Sequence, residues 1–299
     1  MTLDTSTAPH IQTRNSTNKI MLDVLIALVP AIIASIVFSG YRSAIIIFVC
    51  VASAVLAEAF WQILSKKDVT ISDFSAAITG LLLALLLPAR LPLWMAVIGS
   101  VFAILVAKQF FGGLGNNFIN PALAGYAFLL LSWGETVTIG MLAQPYQIAI
   151  ISIAILAGGV YLLIRKVINW RTPAIFIAMV LVSAFVIMFV DFHWVAQPQE
   201  TVRQLLSQTV TFEMLSQLLV GNLIICAFFM ATDPVTTPLT NKGQVYFALG
   251  CGILTVIFNT WGVMPSGAIF AVLIMNTATP LLDKISMPKR YVCKEAKSK

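Results

Sequence analysis

Charge is what this sequence has least of. Only 10% of its 299 residues are Asp, Glu, Lys or Arg, while 59% are hydrophobic. Soluble domains carry about 25% charged residues, so an ordinary soluble fold is excluded. Histidine is nearly missing: His10 lies in the polar start and His193 in a join between apolar runs, which excludes histidine chemistry inside those runs. The four cysteines, Cys50, Cys226, Cys251 and Cys293, form no Cys-x-x-Cys pair. Clustered thiolates for zinc or an iron–sulfur centre are therefore absent, no metal site is expected, and a disulfide framework has no support. Cys50, Cys226 and Cys251 read as small apolar residues packing between helices. The sequence also lacks a nucleophile–base pair, a paired-carboxylate site, a Walker loop and a Rossmann fingerprint. No catalytic residue is assigned, and any redox role must come from a bound cofactor.

Long apolar runs are what is there. A membrane span needs roughly 20 mainly apolar residues, and such runs follow one another with short joins from Met21 to Leu282. We read spans at Met21–Phe38, Ser43–Leu64, Phe74–Leu87, Leu93–Ala107, Pro121–Trp133, Ile148–Ile164, Ala174–Val190, Leu215–Met230, Gln244–Thr260 and Gly267–Leu282. The third ends in Pro88 and the eighth runs into Asp233-Pro234, so broken or half-length helices are expected near Pro88 and Pro234. The fold class expected is an all-α integral membrane protein of about ten transmembrane helices.

Basic residues set the orientation. With the N-terminus cytosolic, only Arg42, Arg90 and Arg203 of the 18 Lys and Arg fall outside. Both termini are thus expected in the cytoplasm, and the net charge of +6 reflects basic residues along the cytosolic face rather than a nucleic-acid partner. The start has no h-region and reads as a tail, not a signal peptide.

The spans also fall into two series. Thr79-Gly-Leu-Leu-Leu-Ala leads to Pro88, a span, Phe111-Gly-Gly-Leu-Gly115 and then Asn120-Pro121 opening another span. Later, Cys226-Ala-Phe-Phe-Met-Ala-Thr-Asp-Pro234 leads to a span, Trp261-Gly262 and Pro265-Ser-Gly opening the last. Five spans in each half is an odd number, so the halves form an inverted repeat whose broken helices hold ligands or ions near the midplane. The expected organisation is a cytosolic tail at 1–19, a first five-helix repeat at 20–134, a short outer loop at 135–147, a second repeat at 148–283, and a basic cytosolic tail at 284–299.

Charges at membrane depth are expensive and are functional candidates by default. Glu58 is the deepest; Asp73, Lys108 and Asp233 lie near span ends, and Asp23 and Asp283 read as interfacial. Glu58, Asp73 and Asp233 are the candidate ion path. Beside a helix break, Asp233 suits Na⁺ or a proton, or equally a turn carboxylate holding backbone donors. Asn116, Asn117 and Asn120, after glycines that include Gly113 and before Pro121, suit a flat ring with an amide-like edge. A turn with an Asn cap on a helix opened by Pro121 explains them as well.

These residues carry a resemblance. Lys108-Gln-Phe-Phe-Gly-Gly-Leu-Gly-Asn-Asn-Phe-Ile-Asn-Pro-Ala-Leu-Ala-Gly125, with Ala231-Thr-Asp-Pro-Val-Thr236 and the Thr79-Gly-Leu-Leu-Leu-Ala run, resembles the D-type subunit of the Rnf ion-translocating ferredoxin:NAD⁺ oxidoreductase complex. The B-type subunit of the Na⁺-translocating NADH:quinone reductase is similar but longer. The resemblance implies a flavin-bearing subunit in the inner (plasma) membrane of a prokaryote, working with the other membrane and peripheral subunits of a redox-driven ion pump. It places FMN or riboflavin near Gly113, Asn117, Asn120, Pro121 and Asp233. The family links FMN covalently to the Thr of a Ser/Thr-Gly-Ala-Thr-type motif after the fifth span; here the stretch is Gly134-Glu-Thr-Val-Thr-Ile-Gly140 and the motif is missing. Thr138 stands roughly where the link would be, and a non-covalent flavin is expected. The alternatives are a channel or secondary transporter, and a flavin-less scaffold subunit of the same complex.

Overall fold

The computed structural model describes residues 17–66, 70–142, 145–194, 222–261 and 266–287. The expected tail before residue 17, residues 143–144 of the expected outer loop, residues 215–221 of the eighth expected span, Pro265 and the tail from 288 lie outside them. The described residues are helical, with no strand among them. The helices are α1 (Thr17–Ser39), α2 (Tyr41–Leu64), α3 (Ser75–Leu86), α4 (Leu93–Leu105), α5 (Pro121–Leu142), α6 (Pro145–Ile164), α7 (Arg171–Trp194), α8 (Leu223–Ile225), α9 (Asn241–Trp261) and α10 (Gly267–Ser286). A π-helical turn, Cys226–Met230, continues α8.

The distribution of side-chain size is that of a membrane protein. On α1, Ala27, Ala31, Ala34 and Ser35 are buried, while Leu22, Ile26, Val29 and Ile33 form an exposed apolar stripe at helical spacing. On α2, Ser43, Cys50, Ala54 and Ala57 face inward, and Phe48, Leu56, Phe60 and Ile63 face outward. Small residues between helices and large apolar ones outside suit lipid, where close helix packing replaces the hydrophobic effect as the driving force. Thr17–Ser39, Tyr41–Leu64, Leu93–Phe111 and Gly267–Ser286 are long and apolar enough to cross a bilayer. The chain is an all-α, multi-pass membrane protein.

The breaks have local causes. The α3 helix has 12 residues, about 18 Å at 1.5 Å per residue, well short of the roughly 30 Å hydrocarbon layer. It stops because Leu87 precedes Pro88 and is extended, with φ −85° and ψ 142°, as a residue before proline prefers. The helical path through Cys226–Met230 ends likewise before Asp233-Pro234, with the Ala231 N–H reaching back five residues to the Cys226 carbonyl at 2.7 Å. Pro30 and Pro280, by contrast, lie inside α1 and α10 without ending them. Boundaries differ from the sequence reading at several points: the seventh span, read as Ala174–Val190, is helix from Arg171 to Trp194, so His193 lies in helix rather than in a join, and one difference is larger. The fifth span, expected to stop at Trp133 before a loop, continues as helix to Leu142, and Trp133 marks a kink with φ −138° and ψ 46°. Glu135, Thr136 and Thr138 interrupt hydrophobicity there without supplying a helix-ending Gly-Pro signal, so the polar run reads as a loop only by composition.

Two compact units emerge, one drawn from Met1–Leu114 and Ala124–Ile168, the other from Gly115–Leu123 and Asn169–Lys299. In the first, α2 packs on α3 and α4, and α1 on α6. Backbones meet closely: a Cβ at Gly80 would stand 2.6 Å from the Cys50 carbonyl oxygen, and one at Gly125 would stand 2.7 Å from that of Gly99. In the second, α9 packs on α7 and α10, and the π turn on α7 and α10.

Candidate functional site

In the first unit the sequence candidates Glu58 and Asp73 are joined through Lys108, named among the charges near span ends, and Ser75, which the sequence reading did not select. Glu58 follows Ala54 and Ala57 on the inner face of α2, and these pack with Ala76 of α3 and Ile104 of α4. Such small residues bring the start of α3 and the end of α4 up to the carboxylate. Lys108 lies just past α4 and donates from Nζ to both Glu58 oxygens, at 2.7 and 3.0 Å, and to Ser75 Oγ at 2.6 Å. All three ammonium donors of Lys108 are thus accounted for. Gln109 Nε2 also donates to Glu58 Oε1, at 2.6 Å. The Ser75 hydroxyl donates to Asp73 Oδ1 at 2.6 Å, and the same oxygen accepts the Ser75 N–H at 2.8 Å. A continuous hydrogen-bonded line therefore runs from Gln109 through Glu58, Lys108 and Ser75 to the half-buried Asp73.

Lys108 is 2% exposed and Glu58 1%. Counting Lys108 with the basic residues of the cytosolic face is corrected by this burial: the side chain is paired inside the unit. The sequence carried a signal, since Lys108 is the single charge between Arg90 and Glu135. Its partner, 50 residues away, left no local mark. Just beyond, Gly112 and Gly113 have φ of 109° and 92°, a conformation that favours glycine, and the Gly113 N–H is held by the Lys108 carbonyl at 3.1 Å. The buried ion pair thereby anchors the start of the Gly/Asn segment.

In the second unit the structure brings Asn120 and Asp233 together. Asn120 Oδ1 accepts the N–H groups of Ala122 and Leu123 at 3.1 and 3.3 Å, an N-cap with Pro121 as first helical residue. Its Nδ2 points to Asp233 Oδ2 at 3.4 Å. The cap reading of Asn120 is therefore met by its Oδ1, while its Nδ2 faces Asp233. Asp233 Oδ1 accepts the Val235 N–H at 3.2 Å and Oδ2 the Thr236 hydroxyl at 3.4 Å. Both contacts to Oδ2 are long for hydrogen bonds, and among the described residues no Lys or Arg pairs with this half-buried carboxylate. Thr279 of α10 donates to the Thr236 carbonyl at 2.9 Å and so fixes the Asp-Pro turn against that helix.

One turn before Thr279, Asn276 is fully buried, and neither its Oδ1 nor its Nδ2 has a partner among the described residues. Burying an unpaired amide costs on the order of 1–3 kcal/mol per group, so a bound group with both acceptor and donor atoms would stabilise it. The sequence reading passed over Asn276 because it stands near the end of an apolar span among Thr277 and Thr279, where polar residues are ordinary. Of the remaining candidates, Asn117 turns its Nδ2 onto the Ile119 carbonyl at 3.1 Å, which shapes the turn before Asn120. Gly113 and Thr138 belong to the first unit, Thr138 within α5.

The chain matches the model of the NQR2, RnfD, RnfE family over residues 4–149 and 139–292. It is 37% identical to the D-type subunit of the Na⁺-translocating ferredoxin:NAD⁺ oxidoreductase complex of Acetobacterium woodii, over 100% of this chain and 99% of that one. It is 33% identical to the D-type subunit of the proton-translocating ferredoxin:NAD⁺ oxidoreductase complex of Clostridium ljungdahlii, over 96% and 95%. With the D-type subunit of the ion-translocating oxidoreductase complex of Erwinia tasmaniensis it shares 31% identity over 96% and 97%. The first alignment spans 339 positions, more than the 299 residues of this chain, so the relative carries internal segments that have no counterpart here.

Proposed function

This chain belongs to the NQR2, RnfD, RnfE family, and we propose that it is a membrane subunit of an ion-translocating ferredoxin:NAD⁺ oxidoreductase complex, with a non-covalently held flavin and an ion-carrying carboxylate at Asp233. The observation that carries this reading is the meeting of Asn120 and Asp233, which joins the Gly/Asn segment to the Asp-Pro turn. The partners are the other membrane and peripheral subunits of that complex. Ten spans as two inverted five-helix repeats in the inner membrane, with both termini cytoplasmic, complete the proposal. Within each unit a long helix packs on a broken element and on the helix after it: α2 on α3 and α4, and α7 on the π turn and α9. With Lys108 buried, the charge asymmetry still favours this orientation, because only Arg42, Arg90 and Arg203 fall on the outer side.

The donor set fits a flavin. Asn276 offers an unpaired buried donor and acceptor, as an amide-like ring edge requires, and Asn120 offers an amide braced by its cap. Gly113, Asn117 and Pro121 shape the segment that would lie against the ring. A flavin, when bound, would supply reversible one- and two-electron transfer. Non-covalent binding is supported by the missing threonine motif around Thr138 and by the two family matches meeting at residues 139–149, where the segment that carries it in relatives would fall. Asp233 is the ion-carrying group because its neighbours are neutral; Glu58 and Asp73 are the separate ion-path candidates of the first unit, where Lys108 already neutralises Glu58. The named relatives differ in their ion, Na⁺ in one and protons in another, so the ion is assigned only as Na⁺ or H⁺.

The test is the purified complex. We expect a yellow preparation in which acid releases flavin from this chain, an intact mass for the denatured chain without flavin, and at least roughly tenfold weaker flavin retention in Asn276→Leu, equivalent to about 1.4 kcal/mol. A colourless intact complex would support instead the flavin-less scaffold, a reading the missing threonine motif favours. Ion flux by the lone chain in liposomes, without any redox partner, would support the channel.

A further inference from the structure

The start of α1 and the end of α6, cytosolic in the orientation proposed above, enclose a cavity of about 210 Å³ lined by Lys19, Ile20, Asp23, Arg165, Lys166 and Val167. We propose that this cavity binds a phosphate group, namely that of an anionic phospholipid whose acyl chains lie along the apolar faces of α1 and α6. The inference is independent of the flavin and ion site.

Three cations and one carboxylate line the cavity, leaving it positive. Asp23 is buried and accepts from Arg165 Nη2 at 3.2 Å on each oxygen and from the Tyr161 hydroxyl at 3.3 Å. That bond and the nearby Asp23 charge raise the Arg165 pKa further, so the guanidinium is permanently charged. Asp23 engages only Nη2 and so orients the guanidinium fork, whose planar donors match phosphate oxygens. An ion pair that merely tied α1 to α6 would not need Lys166.

Lys166 adds a separate argument. The Val167 N–H bonds the Leu162 carbonyl and the Lys166 N–H that of Leu163, both at 3.0 Å. This is a Schellman ending, whose left-handed position is usually glycine. Lys166 occupies it with φ 56°, a conformation unfavourable to side chains, and so keeps a cation at the cavity where glycine would be easier. The helix C-terminus itself attracts cations, but it needs no enclosed cavity for that.

A lipid is favoured over free phosphate by what adjoins the cavity. Leu22 and Ile26 on α1 and Val160 and Ile164 on α6 are exposed apolar side chains on the same two helices. Leu22 and Ile26 lie about one and two turns beyond Lys19, Val160 more than one turn before Arg165, and Ile164 directly before it, the arrangement of basic headgroup pockets between transmembrane helices on the cytoplasmic side.

Native mass spectrometry of the intact complex in mild detergent tests this, with phosphatidylglycerol, phosphatidylcholine and inorganic phosphate as probes. Lys166→Gly removes the charge while suiting the backbone, so folding is retained; Lys166→Arg keeps the charge. Phosphatidylglycerol should be held in preference to phosphatidylcholine, roughly fivefold more weakly in Lys166→Gly and unchanged in Lys166→Arg. Equal retention of the two lipids, or no effect of Lys166→Gly, overturns the proposal. Phosphate binding that Lys166→Gly weakens, without preference between the lipids, overturns the lipid and assigns the cavity to free phosphate.

Discussion

Glu58 and Asp233 are both carboxylates inside an apolar protein, but they are held in opposite ways. Glu58 is almost wholly buried and receives three hydrogen bonds, two from a cation, at 2.6 to 3.0 Å. Asp233 is half-buried, and among the described residues its Oδ2 is met only by an amide and a hydroxyl at 3.4 Å. A carboxylate already neutralised by a close ammonium has little to gain from a mobile cation. One with long contacts to neutral groups can exchange them for an ion at small cost. Burial alone therefore does not distinguish the two carboxylates; the partner does. Glu58 with Lys108 anchors the start of the Gly/Asn segment, and Asp233, with no Lys or Arg partner among the described residues, is the one proposed above to carry the ion.

The sharpest way to break that comparison is to take away the cation. Lys108→Met leaves Glu58 buried and unpaired, and removal of one partner of a buried pair costs about 3–5 kcal/mol. We expect loss of folded protein and a steep fall in the thermal stability of the complex. The double change Glu58→Leu with Lys108→Met removes both charges and should recover most of that stability, as apolar replacements of buried pairs commonly do. A double variant no more stable than Lys108→Met would mean that the pair does not act as an anchor.

At Asp233 the effects should be reversed. Asp233→Asn keeps the shape and an acceptor for the Val235 N–H, so the stability change should stay under about 1 kcal/mol. Ion uptake into proteoliposomes driven by the complex should nevertheless fall at least about tenfold, which corresponds to roughly 1.4 kcal/mol. Uptake that survives in Asp233→Asn would move the ion path to Asp73 and Glu58.

Much of this could be read from the sequence, and the exceptions share a cause. The ends of the broken elements at Leu87-Pro88 and Asp233-Pro234 were legible, because a proline acts on its immediate neighbours. So was the start of α5 at Asn120-Pro121, where cap and first helical residue are adjacent. What stayed hidden depends on partners far along the chain. Nothing near Lys108 says that Glu58 waits 50 residues earlier, and counting basic residues treats every lysine as interfacial. Asn276 looks ordinary until its burial on α10 and its missing partners are seen together. The helix past Trp133 was concealed by polar composition, which a membrane reading takes for a loop although backbone hydrogen bonding can continue through it.

The smallest expected effect in stability separates two functions within one side chain. Asn120 Oδ1 caps α5, whereas its Nδ2 reaches Asp233. Asn120→Ala loses both and should destabilise by about 1 kcal/mol, the usual cost of a lost cap. Asn120→Ser keeps a capping oxygen on a shorter arm, so stability should return to within about 0.5 kcal/mol of the native protein, serine being nearly as good a cap as asparagine. The serine cannot extend to Asp233. If the Asn120 amide serves the flavin and ion site, Asn120→Ser should therefore hold flavin as weakly as Asn120→Ala in the purified complex despite its restored thermal stability. If the cap is its whole role, flavin retention will recover along with stability, and Asp233 will have to be tied to the Gly/Asn segment by some other contact.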